Sequence, residues 1–353
     1  MDFDECIQEI YGRIQDEESK FIFASRLDYS LTHDPSFLWR MVDQTVRNRK
    51  EWVDLCNYLV KLSSEAELVI FGSGIWGDIL CRETEIRGVR WQAVIDSTPK
   101  RAMLHDTPVI AFDDFFKDYK GEFIVTSSYK SGHSMKEQLQ RQGICKEKIV
   151  DAGSVIYALT EKAIYFSPQA LLPLREREVF VDAGCFDGQS TKAFFEWCGQ
   201  EGYSYCFEPD RKNWERIGET LKGYGNYEVI PKALWSKETT LAINAKGNFA
   251  STVTEILEDS NVQRIDAMAL DDFFLNKGAT FIKMDIEGAE LEALRGARKI
   301  IEKYKPRLAV SIYHKPEDIW TLPREILSYC QEYRFYLRHY SFSDYDTVLY
   351  AIP

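Results

Sequence analysis

The chain has 353 residues, of which 45% are hydrophobic and 28% are charged, with 44 Lys and Arg against 56 Asp and Glu. This is the composition of a soluble globular protein of about two domains, and it excludes a collagen-like, disordered or bare coiled-coil chain. The formal net charge of −12 argues against a main task of gripping nucleic acid or an anionic membrane, since both require clustered Lys and Arg.

The N-terminal sequence is acidic where a secretory signal would be basic. No stretch approaches the roughly 18 apolar residues of a membrane span, so we expect a cytoplasmic protein.

Residues 1–65 carry apolar side chains at helical spacing, such as Trp52, Leu55 and Leu59, and they predict a helical N-terminal segment. From residue 66 to residue 157, short apolar runs, the first of them Leu68–Phe71, alternate with helical stretches. This alternation predicts a Rossmann-like α/β domain with a parallel sheet.

A glycine fingerprint follows the first predicted strand. Gly72, Gly74 and Gly77 form G-x-G-x-x-G between a strand and a helix, and Asp96 ends the next strand 19 residues later. The pattern is typical of a dinucleotide site. Trp76, however, lies inside the glycine loop where phosphate would pass, and no Tyr-x-x-x-Lys set follows. The domain resembles the nucleotide-fold modules attached to sugar-modifying enzymes. Nucleotide or sugar-nucleotide binding, a redox site, and a scaffold or acceptor-presenting role therefore stay open.

Residues 158–177 contain Pro168 and Pro173 and are predicted to be a linker. A second α/β series fills residues 178–353, with its first strands predicted at Val179–Ala183, Tyr203–Phe207 and Tyr227–Trp235. Its last two strands, predicted at Phe335–His339 and Val348–Ala351, are joined by about eight residues, too few for a crossover helix, so they should be antiparallel. The predicted fold class is α/β, with two Rossmann-like doubly wound sheets after a helical lead-in.

The second series opens with a buried strand, a glycine-bearing turn and a helix. The candidate binding residues of this turn are Asp182, Gly184, Phe186, Asp187 and Gly188. Glu208 ends the next strand 20 residues beyond Gly188 and is followed by Pro209. A carboxylate at this edge of the sheet could accept both ribose hydroxyls of a nucleoside. The spacing D-x-G-x-x-x-G lacks the third glycine of the dinucleotide pattern, which favours a nucleoside without phosphates.

This turn, the acid that follows it and the antiparallel last strand resemble the class I S-adenosylmethionine-dependent methyltransferases. Residues 283–290 read K-x-D-x-E-G-x-E, which resembles the signature of the FkbM family of methyltransferases, as do the runs at Ile265–Phe273 and Ser311–Pro316. The resemblance covers residues 178–353. It implies a class I methyltransferase domain, S-adenosylmethionine as the cofactor, and O-methylation of a small molecule such as a sugar or secondary metabolite.

Candidate catalytic residues follow the predicted strands. His314 suits a general base if its pKa is near the unperturbed 6.5. Asp285 and Glu287 could orient the acceptor hydroxyl, act as the base, hold a divalent cation through oxygen ligands, or cap the next helix; no spacing indicates a metal. Asp285 is also a candidate cofactor contact. Asp182 should order the turn or approach the methionine amine, and Ala233 should lie near adenine.

The loop Lys246–Thr252 could close over the cofactor or acceptor, or be a plain connection. We expect a small-molecule acceptor, with no nucleic-acid or membrane partner, and leave a homo-oligomer open.

Two other functions compete with methyl transfer. One is an oxidoreductase or binding protein that holds NAD(P) or a nucleotide sugar at Gly72–Gly77, and the other is a non-catalytic module with a relic pocket.

Overall fold

The structure is a computed structural model that describes residues 2–160, 164–166, 168, 173–199, 201–243, 253–255, 263–274 and 277–353. The chain divides into two compact units. The larger unit joins residues 1–42 to residues 164–353, and the smaller unit holds residues 43–163. The loop Lys246–Thr252 discussed above lies outside the described residues. Each unit is built around its own sheet, so each is described in turn.

Three helices open the larger unit: α1 (Phe3–Arg13), α2 (Glu17–Thr32) and α3 (Ser36–Val42). The side chain of Asp2 accepts a hydrogen bond at the start of α1 and forms a capping box with Glu5. Asp16 caps α2 by accepting from the Ser19 N–H. These carboxylates satisfy N–H groups that have no partner inside a helix. The predicted helical N-terminus is confirmed.

The smaller unit begins with a π-helical turn (Asp43–Arg47) and α4 (Lys50–Glu65), and then alternates strands with helices. Its strands are β1 (Leu68–Phe71), β2 (Ala93–Asp96), β3 (Met103–Leu104), β4 (Thr107–Ala111), β5 (Phe123–Thr126) and β6 (Ile149–Asp151). Its other helices are α5 (Ile75–Glu85), α6 (Phe112–Phe115), α7 (Gly132–Arg141), a 3₁₀ turn (Lys146–Lys148) and α8 (Ala152–Leu159). The strand order is β3-β4-β2-β1-β5-β6. Every pair except β3 with β4 is parallel, as predicted.

The larger unit resumes with further strands and helices. The strands are β7 (Val179–Ala183), β8 (Tyr203–Phe207), β9 (Tyr227–Ile230), β10 (Ala233–Leu234), β11 (Thr239–Ile243), β12 (Val253–Glu255), β13 (Gln263–Met268), β14 (Phe281–Met284), β15 (Arg307–Ser311), β16 (Arg334–His339) and β17 (Thr347–Ile352). The helices are α9 (Gln189–Cys198), α10 (Arg211–Thr220), α11 (Leu270–Phe274), α12 (Glu290–Gly296), α13 (Arg298–Tyr304) and α14 (Asp318–Tyr329).

Seven of these strands form the main sheet, in the order β16-β17-β15-β14-β7-β8-β9. The strands from β15 to β9 are parallel neighbours, and β17 is antiparallel to both β15 and β16. The prediction of an antiparallel final pair is therefore confirmed. Because β7, β8, β14 and β15 are parallel, the residues that follow them meet at one edge of the sheet.

A second, four-stranded sheet in the larger unit, in the order β10-β13-β11-β12, is a feature that the sequence interpretation does not contain. The prediction of one strand over Tyr227–Trp235 is wrong, since the chain leaves the main sheet after Ile230 and joins the second sheet at Ala233. Pro231 lies at the break. A proline cannot donate a ladder hydrogen bond, so a continuous interior strand is disfavoured there.

Helix α2 covers β16 in the larger unit. The hydroxyl of Ser19 accepts a hydrogen bond from the Leu337 N–H at 2.8 Å, and Arg338 pairs with Asp16 at 2.8 Å. Arg26 donates to the Thr347 hydroxyl at 2.8 Å. A strand at the edge of a sheet exposes unpaired backbone groups, and covering it protects them. Among the described residues, no helix is both long and apolar enough to cross a membrane.

Candidate active site

The turn after β7 is shaped by two glycines in the left-handed region. Gly184 has φ +76°, and a Cβ there would lie 2.0 Å from the backbone oxygen of Asp285. Gly188, with φ +81°, is the N-cap of α9. A side chain at Gly184 would meet both backbone strain and a clash. The turn after β7 and the residue after β14 are therefore packed directly against each other.

Asp182 anchors this turn from inside the sheet. It is fully buried, and its Oδ2 accepts hydrogen bonds from the hydroxyls of Ser190 at 2.6 Å and Thr191 at 2.7 Å. Its Oδ1 lies 3.2 Å from the Nζ of Lys283. Lys283 also donates to the carbonyl oxygens of Ala183 and Gly184. The geometry fits the first of the two predicted roles for Asp182, which is to order the turn.

The buried Lys283 carries a charge that its neighbours stabilise. Burial lowers the pKa of its ammonium, but the carboxylates of Asp182 and Asp285 outweigh that effect and leave the pKa above its ordinary value. A lysine this deeply buried therefore stays charged only because two acids face it. Breaking one of these pairs would leave a charge without a partner.

Glu208, directly after β8, closes onto the same turn. Its Oε2 accepts the Phe186 N–H at 2.9 Å, and its Oε1 accepts the Asp210 N–H at 2.9 Å and the Asn213 side-chain amide at 3.2 Å. Burial raises the pKa of this carboxyl, although the hydrogen bonds oppose the change. A carboxylate offers about four acceptor positions. Contacts from described residues occupy three of them and leave one on Oε2.

Three other residues predicted to contact the cofactor are Asp187, Pro209 and Ala233. The side chain of Asp187 accepts from the Gln189 N–H at the start of α9, and Pro209 directly follows Glu208. Ala233 is buried in β10, where it pairs with Ala267 of the second sheet and packs in a small apolar cluster. No hydrogen bond of the Asp187 side chain ties it to Glu208 among the described contacts.

Asp285, directly after β14, is held by two tyrosines. The hydroxyl of Tyr165 donates to Oδ2 at 2.7 Å, and the hydroxyl of Tyr313 donates to Oδ1 at 3.0 Å. Burial raises the pKa of Asp285, but Lys283, His314 and the tyrosine hydrogen bonds together hold it below its ordinary value. The Asp285 carboxylate is thus ionised and fixed in orientation.

His314, three residues after β15, faces three carboxylates. Its Nε2 lies 3.6 Å from Asp285 Oδ1 and 3.5 Å from Glu287 Oε2, and its Nδ1 lies 3.0 Å from Glu290 Oε1. Burial lowers the pKa of the imidazole, but Glu290, Asp285 and Glu287 outweigh it and raise the pKa to about 9. The prediction of a general base assumes a pKa near 6.5; with these neighbours, His314 is an imidazolium at neutral pH.

Glu287 is the most accessible carboxylate of this group. Its side chain is 33% exposed, and its backbone has φ +57°, a strained region for a residue other than glycine. Burial, with Asp285 and Glu290 adding to it, raises the pKa of its carboxyl to about 7 even though His314 opposes the change. Asp285, Glu287 and His314, the three predicted catalytic residues, are thus brought together by the structure.

Residues 182–337 match the sequence model of the Methyltransferase FkbM domain. These residues are an FkbM methyltransferase domain. The match begins within β7, ends within β16, and includes the glycine turn, Glu208, Asp285, Glu287 and His314. The protein is therefore a methyltransferase, as the sequence motifs predict.

Solved structures similar to the chain include other methyltransferases. A methyltransferase FkbM from Methylobacillus flagellatus KT is 20% identical, with a TM-score of 0.48 over 93% of this chain and 98% of that one. Fibrillarin from Aeropyrum pernix, solved with natively bound S-adenosylmethionine, is 12% identical, with a TM-score of 0.35 over 55% of this chain and 73% of that one. No curated protein sequence matches the chain.

Two residues of the FkbM domain site carry contacts that the sequence interpretation does not assign. Glu290 is part of the K-x-D-x-E-G-x-E run, but that run gives no sign that its side chain would reach His314. Tyr313 is one of several aromatic residues near the C-terminus, most of which pack in the core. Tyr165, outside the domain match, lies in the predicted linker and has no sequence signal at all, because its hydroxyl meets Asp285 only through the fold.

The second predicted site, in the smaller unit, is closed by its own side chains. Asp96 Oδ2 accepts from the N–H of Ser73 at 2.7 Å and from the hydroxyl of Ser73 at 2.6 Å, and Oδ1 accepts from the Thr98 N–H at 2.9 Å. Gly72 has φ +105°, and a Cβ on Gly77 would lie 1.9 Å from the Gly72 oxygen. A Cβ on Gly74 would meet nothing within 4 Å. Close backbone packing thus accounts for two of the three glycines.

Proposed function

We propose that the larger unit transfers the methyl group of S-adenosylmethionine to a hydroxyl oxygen of a small molecule, with a sugar or secondary metabolite as the acceptor class. The observation that carries this proposal is the arrangement at one sheet edge. A buried carboxylate, Glu208, closes onto the glycine turn, and an acid and imidazole cluster follows β14 and β15. The FkbM domain match supports both the reaction and the cofactor.

The residues of the turn fit a nucleoside. Glu208 keeps one acceptor position on Oε2, and the weaker Asn213 bond at 3.2 Å can yield a second to a ribose hydroxyl. Asp182 and Lys283 hold the turn from below without occupying its outer surface. When bound here, S-adenosylmethionine supplies an electrophilic methyl group on sulfur, and the protein must present an acceptor oxygen in line with it.

Glu287 is the residue best placed to take the acceptor proton. Its carboxylate receives no hydrogen bond among the described contacts, whereas Asp285 receives two from tyrosines. A bond from the acceptor oxygen to the methyl carbon would replace the carbon–sulfur bond and release S-adenosylhomocysteine, while the acceptor O–H proton would pass to Glu287. Positioned general-base catalysis of this kind contributes about 10²–10⁴-fold to rate. His314 and Asp285 then orient Glu287 and the acceptor.

The charge of the chain supports a small acceptor. A net charge of −12 opposes the approach of a phosphate backbone, because nucleic-acid binding depends on neutralising phosphates with Lys and Arg. The site itself adds three carboxylates around one imidazole. A neutral hydroxylated molecule suits such a site better than an anionic polymer.

The test is methyl transfer by the full chain to a panel of glycosides and other hydroxylated small molecules. Formation of S-adenosylhomocysteine and a product heavier by one CH₂ would be measured by mass spectrometry. We expect Glu287→Gln to lower turnover by about 10²–10⁴-fold. Glu292→Gln, at a half-buried acid of α12 that pairs with Arg295, should leave turnover unchanged. Equal turnover in Glu287→Gln and wild type would refute the role of Glu287. A methylated nitrogen in place of oxygen would refute O-methylation.

A further inference from the structure

Behind Glu287 lies a compact set of three potential metal ligands that come from three different elements. Asp285 follows β14, Glu290 is the first residue of α12, and His314 follows β15. One ligand atom from each of these side chains lies within 4.8 Å of the other two. Around an ion with metal–ligand bonds of about 2.1 Å, ligand atoms lie roughly 3–4 Å apart. Nδ1 of His314 lies 3.0 Å from Glu290 Oε1, and Nε2 lies 3.6 Å from Asp285 Oδ1, so an ion would take one of these two nitrogens together with both carboxylates.

The polar atoms of this set lack the partners that buried groups normally have. The side chain of Glu290 is only 1% exposed. Its Oε1 accepts the Ile286 N–H at 2.9 Å, but its Oε2 has no hydrogen-bond partner in the described part of the chain. Leaving a buried carboxylate oxygen without a partner costs free energy, more so when the group is charged. The Oε2 atom of Glu290 is therefore the buried atom of this set that a further partner would satisfy.

The ring nitrogens of His314 also lack hydrogen-bond partners among the described residues. Its side chain is 9% exposed, and both ring nitrogens approach carboxylate oxygens. Neither nitrogen makes a contact with hydrogen-bond geometry among the described residues. Ring nitrogens that are close to oxygens but out of line with them are poorly satisfied by protons, whereas a cation can bind one of these nitrogens together with the nearby carboxylate oxygens.

We propose that Asp285, Glu290 and His314 bind a divalent cation next to the methyl-transfer cleft. This inference rests on the proposed function, because the cation would serve that reaction. Two carboxylate oxygens and one imidazole nitrogen suit Mn²⁺, Fe²⁺ or Zn²⁺, whereas Mg²⁺ and Ca²⁺ prefer oxygen ligands throughout. Binding would release the ring proton of His314 to solvent, because an imidazole nitrogen is a metal ligand only when it is deprotonated. Three protein ligands leave coordination positions open.

The open positions give the cation a function in the reaction. An acceptor hydroxyl bound there would become more acidic, since a metal ion lowers the pKa of a coordinated O–H group. Glu287, beside His314, can then take the proton. The hydrogen bonds from Tyr165 and Tyr313 to Asp285 are of the kind that orient metal ligands from outside the coordination shell.

The test uses the full chain, freed of metal with a chelator and titrated with Mn²⁺ alone. Bound Mn²⁺ is read from loss of the free-ion signal in electron paramagnetic resonance, which needs neither acceptor nor turnover. We expect one Mn²⁺ per chain in wild type. Glu290→Gln and His314→Gln should each weaken binding at least tenfold, a loss of the order seen when metal-site residues are removed. Glu292→Gln, two residues along α12, is the matched control and should bind as wild type.

Several results would overturn the cation site. They are an absence of Mn²⁺ binding by wild type, an affinity for Mn²⁺ in both ligand variants equal to that of wild type, or displacement of Mn²⁺ by Mg²⁺ as readily as by Zn²⁺. Each protein is also titrated with S-adenosylhomocysteine, and binding there shows that a variant is folded. If wild type binds S-adenosylhomocysteine without binding Mn²⁺, the cation site fails while the proposed methyl transfer stands. If it binds neither, the proposed function fails as well.

Discussion

The two units carry the same local design with different outcomes. Each has a buried strand, a glycine turn, a helix and a second strand that ends in an acid. In the smaller unit, the carboxylate of Asp96 accepts two hydrogen bonds from Ser73 and a third from Thr98. In the larger unit, Glu208 reaches the turn through a single N–H, that of Phe186. On Asp96, the hydroxyl of Ser73 occupies an acceptor position of Oδ2. The corresponding position on Oε2 of Glu208 is open among the described contacts.

The surroundings of the two turns differ even more. The gap beside Trp76 in the smaller unit, lined also by Tyr129, Gly153 and Tyr157, has a volume of about 10 Å³, which is room for about one water molecule. The rings of Tyr129 and Tyr157 stack 3.9 Å apart there. The turn of the larger unit instead packs against Asp285, next to Glu287 and His314. Similar fingerprints therefore do not imply similar sites.

Substituting the glycines should produce the largest effects. Gly184→Ala should destabilise the larger unit by about 2–4 kcal/mol, because a clash with Asp285 adds to strain at positive φ. Gly77→Ala in the smaller unit meets only the clash and should cost about 1–3 kcal/mol. Gly74→Ala, with open space around it, should cost less than about 1 kcal/mol. Urea unfolding measures all three, and a cost for Gly74→Ala as large as that for Gly77→Ala would refute the packing explanation.

The two acids should titrate with opposite shifts. Burial raises the pKa of Asp96, but hydrogen bonds from Ser73 and Thr98 outweigh it and hold the pKa below its ordinary value. That carboxylate stabilises the fold above its unfolded pKa, and the contribution is lost as the pH falls through the folded pKa. For Glu208, whose pKa is raised by burial, stability falls as the pH rises from the unfolded to the folded pKa.

Carboxyl ¹³C titration by nuclear magnetic resonance can separate these two groups. We expect Asp96 to titrate below, and Glu208 above, the value for the same residue type in a peptide. The variants Asp96→Asn and Glu208→Gln identify the two signals and should remove the corresponding part of the pH dependence of unfolding. Shifts of the same sign in both acids would show that the two turns do not differ electrostatically.

The smallest expected effect is no effect at all. If the smaller unit were a nicotinamide site, NADH fluorescence would change saturably on titration with the protein, and Asp96→Ala would abolish the change. We expect no saturable change, because the carboxyl of Asp96 is engaged by the N–H and hydroxyl of Ser73 and by the N–H of Thr98. Saturable binding lost in Asp96→Ala would restore the oxidoreductase interpretation.

Much of the fold was predictable because apolar periodicity is a local property. The strands Leu68–Phe71, Val179–Ala183 and Tyr203–Phe207 are found as predicted. The break at Pro231 and the second sheet were not, since short strands such as Ala233–Leu234 have too few residues to show a pattern. That α1–α3 pack in the larger unit also has no local signal, because contacts such as Arg26 with Thr347 join residues more than 300 positions apart.

The sequence predicts which residues form the site but does not predict how their side chains interact. Motifs single out Glu208, Asp285, Glu287 and His314, which lie at the ends of strands. The motifs do not reveal that three carboxylates surround His314 and raise its pKa to about 9, because this depends on side-chain positions in three elements. Tyr165 could not have been found from sequence, since its contact with Asp285 spans 120 residues.

Isothermal calorimetry with S-adenosylhomocysteine on wild type, Glu208→Ala and Asp96→Ala tests whether the larger unit binds the cofactor through Glu208 while the smaller unit does not share this function. Losing hydrogen bonds to a charged carboxylate should cost about 2–3 kcal/mol, or roughly 30- to 100-fold in affinity. We predict that loss in Glu208→Ala and wild-type affinity in Asp96→Ala. Absence of binding by wild type, or equal affinity in Glu208→Ala, would contradict the account.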